Sequence, residues 1–351
     1  MPKIPKSPIR PAVPFPGAAA RLMAARAGLV ASLERELSAQ RFAADRTRGA
    51  CWPAPRRLAA WQKSAARRLT TLLGWPLVGG QPPRARPRWI RLGCDRDGEF
   101  RLVRFGVTGS YSAFALLILP AGGRPAPLVI VQHGGLGVVE VVAGLRGSTS
   151  NYNDVVARLR RRGCAVLLPQ LPMWRDSAAP RCDQEELEPR LRLLGGSFPA
   201  LHALTLRRAL DAALALPGLR TASVGLAGLS YGGCHGLYAA ALDPRIGALL
   251  SSGYFNDRHA YPLPPAVPPG AARAFLDAEL GALVCPRPLW IETADQDEFF
   301  LPAGARTEAA KLRRLYRAVG HPERFRFTVF PGRHEFNRSD AGLDFLVRAL
   351  C

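Results

Sequence analysis

The chain has 351 residues, of which 48% are hydrophobic, and it carries a formal net charge of +21. This length accommodates a large α/β domain with an appendage, and no run of about 18 apolar residues is present that could cross a membrane. The first twenty residues lack the apolar core of a signal peptide, because prolines and lysines interrupt every apolar run, so we expect a cytoplasmic protein.

The cysteines and the basic residues indicate which kinds of binding site the chain is expected to contain. The seven cysteines are spread singly without a CxxC pair, which argues against a disulfide framework or a zinc site and favours buried free thiols. Only four of the 48 basic residues are lysines, a skew more typical of genome base composition than of polyanion binding. Basic residues nevertheless outnumber acidic ones by 14 to 3 in residues 1–75, so binding of nucleic acid or a membrane surface by the N-terminus stays open.

The N-terminal part of the chain divides into a tail and a helical extension. Prolines recur every third residue in residues 1–17, a period that fits polyproline II, and we expect this proline-rich tail to be disordered. Residues 18–80 form the predicted helical extension, with one helix over 18–42 and a second over 56–73. The first helix would carry one apolar face, made of Leu22, Leu29, Leu33 and Leu37.

From residue 88 to residue 351, short apolar runs alternate with helical patterns. Eight strands are predicted, over residues 99–107, 111–120, 126–132, 164–169, 222–228, 246–252, 287–293 and 324–330. Helices are predicted over residues 148–162, 200–216, 231–242, 303–319 and 339–350. Apolar strands that alternate with helices indicate an α/β domain over 88–351, with a mostly parallel eight-stranded sheet and helices on both faces.

Ser230 lies in a G-x-S-x-G pattern that opens at Gly228 and closes at Gly232. The pattern alone is weak, but here a buried strand ends just before it and a helix begins at Tyr231, the context in which such a serine sits on a sharp, strained turn. A side chain at position 228 or 232 would collide with the chain as it doubles back. We therefore predict that Ser230 is a nucleophile.

A nucleophilic serine needs a base, and the base needs a carboxylate to orient it. Asp297 follows the seventh predicted strand and His334 follows the eighth, so an acid and a histidine come after the serine in the chain order that a nucleophile elbow requires. His334 would accept the serine proton, and Asp297 would hold the other ring nitrogen. Asp295 is the alternative acid in the same loop.

Backbone amides that could stabilise an oxyanion are predicted on two loops. One amide belongs to Tyr231, directly after the nucleophile, and the other to Gly135 in the "HGGLG" loop, with Gly134 as the near alternative. His133 is predicted to hold this loop rather than to react. Tyr254 and Phe255 are candidates for the substrate pocket, with core packing an equal alternative, and residues 173–198 are a candidate for part of a lid.

Four stretches, "VIVQHGG", "LAGLSYGG", "DQDEFF" and "PGRHEF", together resemble the α/β-hydrolase superfamily, and within it the dienelactone-hydrolase-like and acetyl-xylan-esterase-like branch. The resemblance covers residues 60–350. It implies a serine hydrolase that acts on esters, with Ser230, Asp297 and His334 as its triad and with no metal or organic cofactor. Ala294 departs from the glycine that such enzymes usually carry before the acid, which puts the choice of acid in doubt.

These observations predict hydrolysis of small or medium carboxylic esters through an acyl-enzyme, with a small-molecule ester as the partner. The same three residues could instead serve a peptidase of the prolyl-oligopeptidase kind, an acyltransferase or a carbon–carbon hydrolase. The chain could also be a non-catalytic protein of this fold that binds through its basic N-terminus.

Overall fold

The computed structural model describes residues 17–122, 125–174, 180, 182–261, 263 and 266–351. The predicted proline-rich tail lies outside the described residues apart from Gly17, as do positions 175–179 and 181 of the candidate lid. The chain divides into a unit that ends at Cys51 and a second unit that spans Trp52–Cys351.

The described residues of the first unit form one helix, α1 (Ala18–Ala50). It continues well past the predicted end at residue 42, because no glycine or proline interrupts the sequence between Phe42 and Gly49. The predicted apolar face remains solvent-exposed, with Leu22, Leu29, Leu33 and Leu37 between 52% and 64% accessible.

The second unit contains the sheet. Its strands are β1 (Arg88–Asp95), β2 (Gly98–Thr108), β3 (Tyr111–Pro120), β4 (Ala126–Gln132), β5 (Ala165–Pro169), β6 (Leu219–Leu229), β7 (Ile246–Ser252), β8 (Leu289–Ala294) and β9 (Phe325–Phe330). They lie in the order β1-β2-β3-β5-β4-β6-β7-β8-β9. The first three strands and the β3–β5 pair are antiparallel, and all pairs from β5 through β9 are parallel.

Helices cover both faces of this sheet. They are α2 (Leu58–Leu73), α3 (Val139–Val142), α4 (Val155–Arg160), α5 (Gln184–Leu193), α6 (Phe198–Leu214), α7 (Tyr231–Leu242), α8 (Asp277–Val284), α9 (Pro302–Ala318) and α10 (Ala341–Arg348). Short 3-10 turns occur at Pro55–Arg57, Ser150–Tyr152, Ala271–Arg273 and Pro322–Arg324. In the described part of the chain, no helix is both long enough and apolar enough to span a bilayer.

Alternate residues of the central strand β4 enter two different hydrophobic clusters. Leu128 and Ile130 pack with residues of α2, α6, α7, α8 and α9, whereas Val129 and Val131 pack with residues of α4 and α10. Successive side chains of a strand point to opposite faces, so this division shows that the sheet is buried on both sides. The predicted α/β architecture is therefore confirmed.

The described sheet has nine strands where eight were predicted. The additional strand is β1, which was missed because most of its residues are exposed and it lacks apolar alternation. Helix α8 was also missed: all eight of its residues are buried, so it shows no amphipathic period. Among the described residues no disulfide forms; the prediction of buried thiols holds for Cys164, Cys234 and Cys285 but is wrong for the three exposed cysteines, Cys51, Cys94 and Cys351.

The parallel strands bring their carboxyl ends to one edge of the sheet. The loop after β4 begins at His133, β6 ends directly before Ser230, and the loops after β8 and β9 carry Asp297 and His334. Loops at this edge are where open α/β sheets bind ligands. The fold therefore collects at one edge the residues that the sequence motifs singled out.

Candidate active site

Ser230 occupies the turn between β6 and α7 in a strained conformation, with φ 57° and ψ −127°. A non-glycine residue in such a conformation costs about 1–3 kcal/mol and persists only where the surroundings impose it. The flanking glycines explain how the turn closes. A Cβ at Gly228 would overlap the carbonyl of Gly232, and a Cβ at Gly232 would overlap the carbonyl of Gln132.

His334 and Asp297 form a hydrogen-bonded pair across the loops after β9 and β8. His334 Nδ1 lies 2.9 Å from Asp297 Oδ2, and the Asp297 side chain is fully buried. Asp297 Oδ1 accepts hydrogen bonds from the amides of Phe299 and Phe300, each at 2.8 Å. Because an ionised carboxylate can only accept, the ring proton belongs on Nδ1, and Nε2 is left as a proton acceptor.

The other acidic side chains of this region have different partners. Asp295 Oδ1 accepts the Gly332 amide at 3.0 Å. Glu292 is buried and accepts hydrogen bonds from the Trp290 indole and the Asn337 amide, and burial raises its pKa above the usual range. The structure thus brings Asp297, rather than either neighbour, to the imidazole.

Ser230 and His334 line one cavity of about 280 Å³ together with the loop after β4. Gly134 and Gly135 are among its walls, with Leu136, Val138 and Val141 as apolar lining residues. Arg146 and Asn151 also border it, and Arg146 is the one Lys, Arg, Asp or Glu side chain among the described lining residues. The cavity is therefore small, mixed in polarity and bordered by positive charge.

The two glycines of the "HGGLG" loop differ in the use of their amides. The Gly134 amide donates to the hydroxyl of Tyr152 at 3.0 Å, and the Gly134 carbonyl accepts from His133 Nδ1 at 2.8 Å. Within the described residues, the amides of Gly135 and Tyr231 have no hydrogen-bond acceptor. A Cβ on Gly135 would lie 3.0 Å from the Tyr231 ring, so these two residues are adjacent. The geometry thus favours Gly135 over Gly134 as the loop's available donor.

His133 and Gln170 hold the loop after β4 in place through buried hydrogen bonds. His133 is buried, and its Nε2 accepts the Leu171 amide at 3.0 Å and contacts Gln170 Nε2 at 3.1 Å. The Gln170 amide oxygen accepts the Val139 amide at 3.0 Å. Burial lowers the pKa of His133 to about 4, so the ring is neutral near pH 7 and can act as an acceptor. This is the structural role predicted for His133.

Tyr254 and Phe255 are buried in the larger core cluster, only 3% and 2% exposed. The Tyr254 ring centroid lies 4.9 Å from that of Phe300 and 6.0 Å from that of Tyr231. Neither residue borders the 280 Å³ cavity, so their role in a substrate pocket stays a prediction.

Sequence reasoning missed several residues around the site. Gly253 has φ +62°, and a Cβ there would lie 3.3 Å from Nδ1 and Cε1 of His334. Tyr152 and Asn151 contact the loops of Gly134 and His334, respectively. A single polar or aromatic residue has no sequence pattern from which such contacts could be predicted. Among the described residues, no three His, Cys, Asp or Glu side chains converge to hold a metal ion.

Comparison with known proteins finds likeness in structure but not in sequence. No protein-family model matches the chain, and no curated protein matches it in sequence. A protein described as an acetyl xylan esterase from Bacteroides fragilis is 16% identical with a TM-score of 0.65, over 80% of this chain and 77% of that chain. A glucuronoyl esterase from Solibacter usitatus is 15% identical with a TM-score of 0.59, over 82% and 91%.

Methylesterase BT1017 is 19% identical with a TM-score of 0.63, over 84% of this chain and 63% of that chain, so this chain spans less than two thirds of its length. At these identities the likeness concerns the fold and not the reaction. The resemblance to acetyl-xylan-esterase-like proteins is confirmed at this level, whereas the resemblance to dienelactone hydrolases stays a prediction. The chain has the α/β-hydrolase fold.

Proposed function

We propose that the protein is a serine hydrolase that cleaves small or medium carboxylic esters through an acyl-enzyme. The observation that carries this proposal is the 2.9 Å contact between His334 Nδ1 and Asp297 Oδ2, with His334 lining the same cavity as Ser230. A hydroxyl on a strained turn, an imidazole and a buried carboxylate are the three groups that acyl transfer requires.

In the proposed reaction, His334 Nε2 takes the proton of Ser230 Oγ as the oxygen attacks the ester carbonyl. Asp297 keeps the imidazole in the required tautomer and stabilises the imidazolium that forms. The amides of Tyr231 and Gly135 donate to the oxyanion of the tetrahedral intermediate. His334 then gives its proton to the leaving alcohol. A water molecule, activated by the same imidazole, finally releases the acid and restores Ser230.

Two observations support small or medium esters as the substrate class. The cavity beside Ser230 has a volume of about 280 Å³, which leaves room for a short acyl chain. The structural neighbours named above are described as esterases. None of these observations favours amide cleavage, acyl transfer to another acceptor or carbon–carbon bond hydrolysis. A serine and an aspartate-paired histidine that line the same cavity argue against a purely binding role.

The test is hydrolysis of p-nitrophenyl esters of rising chain length by the wild type and by Ser230→Ala. We expect the highest kcat/KM for short chains and no turnover above background in Ser230→Ala. Ser112→Ala, which removes an exposed hydroxyl from β3, is the control and should match the wild type. Equal turnover by the wild type and Ser230→Ala would remove Ser230 from the mechanism.

Labelling with a fluorophosphonate tests the nucleophile without assuming a substrate. The wild type and Ser112→Ala should be labelled, and Ser230→Ala should not. A folded wild-type protein that is never labelled would support the non-catalytic alternative. Hydrolysis of peptide p-nitroanilides in preference to esters would support a peptidase.

A further inference from the structure

Three consecutive residues, Asn151, Tyr152 and Asn153, lie between the loop after β4 and the loop after β9. We propose that this 151–153 segment positions the Gly135 oxyanion donor and the His334 base relative to each other. The proposal rests on the proposed ester hydrolysis and assigns positioning roles to residues that do not themselves react.

Tyr152 contacts the loop after β4, which carries Gly134 and Gly135. Its side chain is buried, and its hydroxyl oxygen accepts the Gly134 amide at 3.0 Å. This bond engages Gly134 and leaves the next amide, that of Gly135, available in the cavity. The fit is close, because a Cβ on Gly137 would lie 2.6 Å from the same hydroxyl. Burial raises the pKa of Tyr152 to about 12, so the phenol stays protonated at the pH of any assay.

Asn151 contacts the loop after β9, which carries His334, through both its side chain and its backbone. Asn151 Nδ2 donates to the carbonyl oxygen of His334 at 3.0 Å, and the Asn151 carbonyl accepts the Phe336 amide at 2.8 Å. The backbone of the catalytic histidine is thereby held at the residue itself and two residues later. Asn153 also binds this loop, because its Nδ2 donates to Glu335 Oε2 at 2.7 Å and to the Phe336 carbonyl at 2.6 Å.

The backbone of this region is held in an unfavourable conformation. Ser150, Asn153 and Asp154 have φ values of 53°, 47° and 53°, the left-handed region that residues other than glycine adopt infrequently. Strained residues of this kind persist when surrounding contacts over-determine them, and they cluster at functional sites. The tight turn brings the Tyr152 and Asn151 side chains to two different loops from adjacent positions in the chain.

The first test is Tyr152→Phe, which keeps the ring and removes the acceptor of the Gly134 amide. Removing an oxyanion donor outright lowers kcat about 100- to 1000-fold, and we expect a misplaced donor to lower it about tenfold or more with little change in KM. The acid limb of the pH profile should not move, because the His334–Asp297 pair is untouched. Tyr316→Phe is the matched control: it deletes a buried hydroxyl that donates to the Arg287 carbonyl at 2.7 Å, far along α9, and should leave kcat unchanged.

A double-mutant cycle tests whether the segment couples the two loops. Tyr152→Phe and Asn151→Ala should each lower kcat, and the combined variant should lose much less than the product of the two separate losses, because either change releases the same segment. Fluorophosphonate labelling rates should follow the same pattern. Multiplicative losses would overturn the coupling, and a kcat within twofold of the wild type in Tyr152→Phe would overturn the positioning role. A wild type without esterase activity or labelling would instead refute the proposed function.

Discussion

The substitution Asp297→Asn tests the assignment of the acid most directly. Asp297 Oδ1 accepts two backbone amides, so in this variant the amide oxygen stays where Oδ1 is now. The amide nitrogen then faces His334 Nδ1 and donates to it. The imidazole must respond by placing its proton on Nε2, the nitrogen that has to accept the proton of Ser230.

The expected loss follows from this change of tautomer. The equivalent substitution in a serine protease triad lowers kcat about 10⁴-fold, which corresponds to about 5.5 kcal/mol of transition-state stabilisation. The matched control is Asp295→Asn, in the same loop. Asp295 Oδ1 accepts the exposed Gly332 amide at 3.0 Å, a bond that an amide oxygen preserves, and we expect kcat within about twofold of the wild type.

The assay is steady-state hydrolysis of p-nitrophenyl acetate by the two variants, with the melting temperature as a check on folding. The reasoning is refuted if Asp297→Asn keeps a tenth or more of the wild-type kcat. It is equally refuted if Asp295→Asn loses as much activity as Asp297→Asn, since the carboxylate that matters would then be the other one.

Three further predictions concern the surroundings of the proposed triad. Gly253→Ala places a Cβ 3.3 Å from the His334 ring at φ +62° and should lower kcat at least about tenfold. Gly320→Ala, also at positive φ but in open space, should lower the free energy of unfolding and leave kcat unchanged. Equal kcat losses in the two variants would contradict this reasoning. His133 has a pKa near 4 when folded and an ordinary value of 6.5 when unfolded, so its contribution to the free energy of unfolding is complete above pH 6.5 and declines by about 3 kcal/mol as the pH falls to 4. Urea titrations at several pH values should show a shallower decline in His133→Gln, and identical slopes would refute the assignment. Arg146→Gln should lower kcat/KM for mono-p-nitrophenyl glutarate about fivefold relative to p-nitrophenyl butyrate, because Arg146 borders the cavity; an unchanged ratio would exclude it from substrate recognition.

Features encoded within a short window were predictable. The turn at Ser230 follows from three local features. A buried strand ends before it, two flanking glycines occupy positions where a Cβ would clash with the backbone, and a helix begins at the next residue. The parallel sheet followed from apolar runs buried on both faces, as in β4, where alternate valines, leucines and isoleucines enter two clusters. Strand β1 escaped because an exposed edge strand needs no apolar pattern.

The partners of each reactive group were not predictable, because they come from distant parts of the chain. The sequence left Asp295 and Asp297 as alternatives, and only the path of the loop after β8 directs Asp297 to His334 and Asp295 to the Gly332 amide. The sequence likewise favoured Gly135 as the donor but kept Gly134 as the near alternative. They differ because a tyrosine 18 residues later takes the first of the two amides.

The sequence by itself determined the fold class, the order of the candidate reactive residues and the turn that carries Ser230, because strand burial and backbone sterics act between near neighbours. The tertiary structure decided which carboxylate meets the imidazole, which amide remains available and how the 151–153 segment joins the two loops. Those outcomes depend on distances between residues up to 183 positions apart, and only the packed sheet fixes such distances.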